Sequence, residues 1–158
     1  MPKYFCSGAV LLLLLSFSVG CSTVTLKPAD FAWPVEVVLK PDTNGFVKES
    51  RFQVSFNIKP LLFEEFKDSV NIADRSIRLI RDLRGYYFIT GKAFKHVYVF
   101  GQADASLKLE KKILVSEKGL EAPALNQKNQ LIELIDEKNS SVAPVYLSKE
   151  GIQEGGKK

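Results

Sequence analysis

The sequence has few of the residues that catalytic and metal sites need. Among its 158 residues there are two cysteines and one histidine, His96. A single histidine excludes a zinc site with two histidine ligands. The chain also has neither a glycine-rich phosphate loop nor the G-x-S-x-G turn that carries a hydrolase serine. These absences argue against an enzyme, and the sequence predicts no catalytic residue, no metal site and no cofactor.

Neighbouring carboxylates and the overall charge add no chemical signal. Glu64–Glu65 and Asp136–Glu137 are adjacent pairs. Adjacent side chains point in different directions, so neither pair makes an acid–base couple by itself. With 22 basic and 18 acidic residues, the net charge of +4 is too small to indicate a nucleic-acid surface. We therefore predict that nucleic acid is not a partner.

Long hydrophobic runs are absent from the sequence except near the N-terminus. Ala9–Leu15 is apolar without interruption, which is about half of the length that a membrane-spanning helix needs. Lys3 precedes this run, small residues follow it, and no acidic residue occurs before Asp30. A basic start, an apolar middle and a small-residue end are the parts of a secretory signal peptide. Residues 1–20 are therefore predicted to be removed from an exported protein.

The end of this run, Ser18-Val19-Gly20-Cys21, resembles the lipobox of bacterial lipoproteins. That pattern is usually Leu, then Ala or Ser, then Gly or Ala, then Cys. Gly20 and Cys21 match it, Val19 is a tolerated variant, and Ser18 replaces the usual Leu. The resemblance implies cleavage before Cys21, a diacylglycerol on its sulfur and an N-acyl chain on its new amino group. Ser18 and Gly20 also fit an ordinary signal peptidase site, which would leave Cys21 unmodified.

The cysteine count favours the lipidated form. Cys6 lies in the segment predicted to be removed, so the exported chain would hold one cysteine. An unpaired thiol is unusual in an oxidising compartment, whereas a lipidated cysteine needs no partner. One acyl chain binds membranes only reversibly, so two or three chains imply stable anchoring. Ser22 occupies the position where Asp commonly retains Gram-negative lipoproteins at the inner membrane, which predicts the outer membrane, facing the periplasm, for a Gram-negative source.

The remaining chain has the alternating pattern of β-strands. Phe52, Val54, Phe56 and Ile58 alternate with polar residues, which predicts a strand with one buried face. The segment after Pro60, "LLFEEFKDSV", is predicted to form a short helix. Six to eight short strands and one or two short helices predict a mainly β fold, a single antiparallel β-sandwich or small barrel. The predicted parts are a signal peptide 1–20, a lipidated Cys and tether 21–31, a β-rich domain 32–148 and a flexible polar tail 149–158.

Two segments fit both a helix and a strand. Residues 72–84 carry arginine at every third position from Arg75 to Arg84. The sheet-like flanking sequence favours a strand there, and the arginines are interpreted as a solvated face rather than an anion site. Residues 124–138 contain "NQLIELIDE", which fits a strand or the end of a helix that begins near Pro123.

An aromatic segment follows the arginines. Gly91-Lys92 is predicted as the two-residue loop of a hairpin that pairs Ile89 with Phe94. One face would then collect the candidate ligand or core residues Tyr87, His96, Tyr98 and Phe100. Such a face could stack on a sugar or line a lipid-sized cavity. Strands also use aromatic residues at period two to fill cores, which is the interpretation we favour.

These features predict an envelope protein anchored to the membrane by lipid. We expect its β domain to act as an interaction module, an accessory or assembly factor for another envelope protein. The alternative is a carrier domain for a lipid or a glycan, and a third hypothesis is an envelope hydrolase. An interaction module would expose an apolar patch or an open sheet edge. A carrier would have a cavity that its own side chains do not fill, and a hydrolase would cluster carboxylates with raised pKa values in a cleft.

Overall fold

The structure, a computed structural model, describes residues 34–68, 72, 75–104, 106–138 and 143–154. The signal peptide, the lipobox with Cys21 and the tether that the sequence predicts lie outside these residues. Within them, no helix is long and apolar enough to cross a membrane.

The described residues form a mainly β domain with one short helix, which confirms the predicted fold class. Helix α1 begins beside Pro60, whose fixed φ suits a first turn, and ends where Lys67 takes a left-handed conformation. The elements are β1 Val37–Leu39, β2 Phe46–Glu49, β3 Val54–Asn57, α1 Lys59–Phe66, β4 Ile77–Arg81, β5 Tyr87–Gly91, β6 His96–Ala103, β7 Ser106–Leu114, β8 Pro123–Lys128, β9 Leu131–Asp136, β10 Val145–Ser148 and β11 Gly151–Gln153.

A central five-stranded antiparallel sheet, in the order β1-β4-β5-β6-β7, is covered on both faces. The four-stranded antiparallel sheet β11-β10-β9-β8 packs on one face and completes a sandwich. The β2–β3 hairpin and α1 pack on the other face. On β5, Phe88 belongs to the core between the sheets, whereas its neighbours Tyr87 and Ile89 belong to the core under the hairpin and helix. The sandwich therefore has a third layer.

The described residues of both ambiguous segments contain strands and no helix. In β4, Ile77 and Leu79 enter one core and Ile80 enters the other, because a strand directs successive side chains to opposite faces. Residues 124–138 form most of the β8–β9 hairpin, whose turn places Asn129 at φ 56°. Asparagine tolerates this left-handed conformation better than most residues.

The predicted loop of the β5–β6 hairpin is wrong, although the predicted faces are correct. Ile89 pairs with Tyr98 instead of Phe94, so the loop is longer than Gly91-Lys92. Tertiary contacts explain the difference. Phe94 is buried against the helix residue Phe66, with ring centroids 5.5 Å apart. Its carbonyl also accepts a hydrogen bond of 2.9 Å from the Leu120 N–H. Although the pairing of β5 with β6 differs from the prediction, the same residues share each face of the hairpin.

The alternation in β7 predicts Leu107, Leu109 and Ile113 on one face, and this prediction is wrong. The register with β6 shifts between Val99 and Phe100, so that Glu110 is an extra residue. A bulge of this kind reverses the phase of a strand. Leu107 therefore packs against the core under the hairpin and helix, whereas Ile113 packs between the two sheets.

The predicted flexible tail begins too early. Gly151–Gln153 forms β11, which pairs with β10 through Leu147 and Ile152. Gly151 has a φ of 129°, which glycine adopts without the steric cost that a side chain would add. The β domain therefore extends through Gln153 instead of ending at residue 148.

Candidate functional site

A cleft of about 1000 Å³ opens on the hairpin-and-helix side of the central sheet. Strand β3 and the start of α1 form one wall, and the β6–β7 hairpin forms the floor and the other wall. The covering layer buries Ile89 completely but leaves Leu109 48% exposed. The apolar residues that line the cleft are Phe52, Val54, Phe56, Leu61, Ile89, Phe100, Leu107 and Leu109.

The strand register explains why the cleft has an apolar floor. Arg81, Tyr87, Phe100 and Leu109 are successive cross-strand partners on β4, β5, β6 and β7. Cross-strand partners share a face of the sheet. These four residues are named here the floor row. Within it, exposure increases from Tyr87, which is 2% exposed and packs edge-on against Phe52, to the half-exposed Leu109. The apolar face of the sheet thus extends beyond its cover and becomes the cleft floor.

Polar side chains surround this floor. Gln53, Asn57, Gln102 and Asp104 are among the residues that line the cleft. An apolar floor with a few polar groups at its border is typical of small-molecule sites, because apolar area supplies affinity and polar groups fix orientation.

An ion pair joins the two walls of the cleft. The Lys112 ammonium on β7 donates a hydrogen bond to the Glu64 carboxylate on α1. This bond and the charge of Lys112 lower the pKa of Glu64. Because the pair is solvated, its contribution to stability is small. The pair connects the two walls at one side of the cleft. Because Glu64 neutralises Lys112, this lysine is a poor candidate for binding an anionic ligand.

Glu65 holds α1 against the central sheet. Its side chain is 1% exposed. The carboxylate accepts hydrogen bonds from the Lys95 backbone N–H at 2.9 Å and from the Tyr98 hydroxyl at 2.8 Å, and it lies 2.8 Å from His96 Nδ1. Burial, followed by the bond to Glu65, raises the pKa of Tyr98, so the hydroxyl remains a donor. This network fixes the helix that forms a cleft wall.

The structure divides the candidate aromatic face between core and cleft. Tyr87 is buried in the core, and His96 is bound to Glu65. Tyr98 and Phe100 line the cleft, although Tyr98 is only 1% exposed. The sequence did not predict the cleft walls on β3 and α1. The alternation of Phe52 to Ile58 revealed an apolar face, but not that this face stands opposite Phe100.

The charged networks do not resemble an acid–base couple. Burial raises the pKa of Glu133, but hydrogen bonds from Lys128 and Tyr146 outweigh burial, and the net shift is downward. The pKa values of Glu64 and Glu150 are also lowered. A general acid needs a carboxyl group whose pKa is raised, so these groups give no support to the hydrolase hypothesis.

The cleft is therefore the candidate functional site of the domain. Among the described residues, no three His, Cys, Asp or Glu side chains are grouped to hold a metal ion. Comparisons of the chain with protein-family models, with curated proteins and with solved structures found no match.

Proposed function

We propose that this protein is an exported lipoprotein, anchored to the envelope membrane through Cys21, whose β domain binds a lipid-like ligand in the cleft. The observation that carries this proposal is the cleft of about 1000 Å³ with an exposed apolar floor. Ligand sites in proteins measure roughly 300–1000 Å³ and are mostly apolar. Of the functions that the sequence suggested, the carrier alternative explains this feature most directly.

The exposure of the floor supports a ligand more strongly than it supports a structural role. Leu109 is 48% exposed at the border of the cleft, and Phe100 is partly exposed beside it. Fully burying a leucine or phenylalanine side chain contributes about 1.5–3 kcal/mol, and the domain forgoes part of this energy here. A ligand with an acyl chain would recover this energy. A glycan could form hydrogen bonds with the polar border, but it would bury less apolar surface against the aliphatic floor.

Leu109→Asp tests the cleft. We expect the dissociation constant for decyl maltoside to rise about tenfold or more. The substitution replaces an apolar contact with a charged carboxylate, which the alkyl chain of the detergent would desolvate on binding. The fold should persist because Leu109 is half exposed. Isothermal titration calorimetry below the critical micelle concentration measures the binding. Ile152→Asp is the matched control, since Ile152 is 55% exposed on β11, outside the cleft. Equal weakening by both substitutions would contradict the proposal.

Cys21→Ala tests the anchor. We expect this substitution to move the protein from the membrane fraction to the soluble fraction, because it removes the site of acylation. The thermal unfolding midpoint of the domain should not change, since Cys21 precedes the β-rich domain. Cell fractionation followed by calorimetry measures both effects, and Ser22→Ala is the control. Tight membrane retention of Cys21→Ala would refute the lipid anchor.

An open sheet edge favours a second candidate function, an interaction module for another envelope protein. In the described sheets, the nine-residue strand β7 is hydrogen-bonded only to β6. Such an edge can accept an extended segment of a partner as an additional strand. Native mass spectrometry of protein extracted from its own membranes separates the two functions, because a bound lipid and a bound subunit differ in mass.

A further inference from the structure

Arg81 has a guanidinium group that is held in place but lacks an anionic partner. Its Cζ lies 5.4 Å from the centre of the Phe52 ring and 5.5 Å from that of Tyr87. Its Nε is buried and donates no hydrogen bond. A buried donor without an acceptor is destabilising. Such a group in a native fold requires an explanation, and a nearby site for an anionic ligand is one.

Three other arginines of the domain have anionic partners. Arg51 Nε lies 2.6 Å from the Glu49 carboxylate, and Arg78 Nη1 lies 2.6 Å from that of Glu36. Arg84 Nε lies 3.6 Å from Asp82. In the part of the chain that the structure describes, no carboxylate lies within ion-pair distance of Arg81. The sequence predicts one solvated face for the arginines from Arg75 to Arg84, whereas the structure distinguishes Arg81 by its buried, unpartnered Nε.

Arg81 is connected to the cleft in two ways. It begins the floor row, which ends three strands away at Leu109, a span of about 14 Å at the usual spacing between strands. Phe52, on which the guanidinium stacks, itself lines the cleft. The Arg51 guanidinium also approaches the Phe52 ring, at 5.2 Å, but Glu49 neutralises it. The Phe52 end of the cleft therefore carries the uncompensated positive charge of Arg81.

We infer that the ligand of the cleft is an anionic single-chain amphiphile whose carboxylate or phosphate group is bound by Arg81. The planar guanidinium can donate two parallel hydrogen bonds to such a group. The acyl chain would pass across Phe52 and lie on Phe100 and Leu109, and the span of the floor row is comparable with an extended ten-carbon chain. This inference rests on the function proposed above and adds the chemistry of the headgroup.

The experiment compares three probes by calorimetry at low ionic strength. Decyl phosphate carries both the chain and the anion, decyl maltoside carries the chain alone, and inorganic phosphate carries the anion alone. The proteins are the wild type, Arg81→Gln, Arg81→Lys and the control Arg84→Gln. The control is matched because Arg84 lies near the same β4–β5 turn but is paired with Asp82. Thermal unfolding of each variant shows whether it is folded.

We expect decyl phosphate to bind the wild type more tightly than either other probe. Arg81→Gln should weaken decyl phosphate about tenfold or more, since hydrogen bonds to charged groups contribute about that much. The same substitution should change decyl maltoside binding less than twofold. Arg81→Lys should retain part of the affinity, and added salt should reduce it, because the interaction is electrostatic.

Four results would overturn the inference in distinguishable ways. Equal weakening by Arg81→Gln and Arg84→Gln would show a general charge effect. Equal affinity of the wild type for decyl phosphate and decyl maltoside would show a cleft that ignores the headgroup, and the proposed function would stand without the inference. Equal affinity for inorganic phosphate and decyl phosphate would assign the site to a free anion. Failure of both amphiphiles to bind would refute the proposed function together with the inference.

Discussion

Phe88→Ala is expected to lower the free energy of unfolding by about 3–5 kcal/mol, and Ile89→Ala by about 2–5 kcal/mol. Both side chains are fully buried, although they are consecutive on β5 and face opposite sides of the sheet. In a two-layer sandwich one of the two would face solvent, and its truncation would have little effect. Large losses of stability for both variants would therefore show that both faces of the central sheet are covered. Equilibrium urea unfolding of each variant measures them.

Phe63→Ala is the control for this pair. Phe63 lies on α1 with 57% of its surface exposed, so its truncation should change stability by about 0.5 kcal/mol or less. A large loss for Ile89→Ala together with a loss near that of the control for Phe88→Ala would contradict the packing of the second sheet. The reverse result would contradict the packing of the hairpin and helix, and with it the wall of the cleft.

Glu65→Ala is expected to destabilise the domain by about 3–5 kcal/mol, because it leaves several buried hydrogen-bonding groups without an acceptor and each such group costs about 1–3 kcal/mol. The substitution would leave the Lys95 N–H, His96 Nδ1 and the Tyr98 hydroxyl without their acceptor. Because this network holds α1 on the sheet, the helix should also lose protection from hydrogen exchange. Urea unfolding and hydrogen exchange of the α1 amides measure the two effects.

The neighbouring residue provides a matched control. Glu64 is the same residue type, one position earlier on the same helix, but its side chain is 47% exposed and is paired only with lysines. Glu64→Ala should have little effect on the free energy of unfolding, because solvated ion pairs contribute little to stability. Similar losses for the two substitutions would show that the buried network does not hold the helix. Comparing amphiphile binding by the wild type and by Glu65→Ala then shows how far the cleft depends on a fixed α1.

The network also explains why the cleft and the core share a residue. Tyr98 places its ring in the core beside Phe94, with centroids 6.2 Å apart, and its hydroxyl on Glu65. The same residue contributes to the cleft floor. A ligand that lies on this floor contacts a rigid surface, and rigid sites bind with a smaller loss of conformational entropy.

Local patterns in the sequence determined most of the strands and the helix of this protein. The alternation from Phe52 to Ile58 predicted β3, although the observed strand, Val54–Asn57, is shorter than the alternating segment. Pro60 marked the start of α1. The two faces of the β5–β6 hairpin were also predictable, because the alternation of side chains depends only on the extended backbone. The proposed lipid anchor at Cys21 is likewise predicted from local sequence alone, because the resemblance to a lipobox rests on residues 18–21.

Only the tertiary structure decided the features that make the site. The loop before β6 depends on Phe94 entering the core, and the phase of β7 depends on the bulge at Glu110. Neither has a strong local signal, because each is fixed by contacts with residues that are distant in sequence. The cleft exists because the β2–β3 hairpin and α1 cover part of the sheet and leave Leu109 exposed. Arg81 looked like its neighbouring arginines in the sequence, and only the packing of Phe52 and Tyr87 around it distinguishes it.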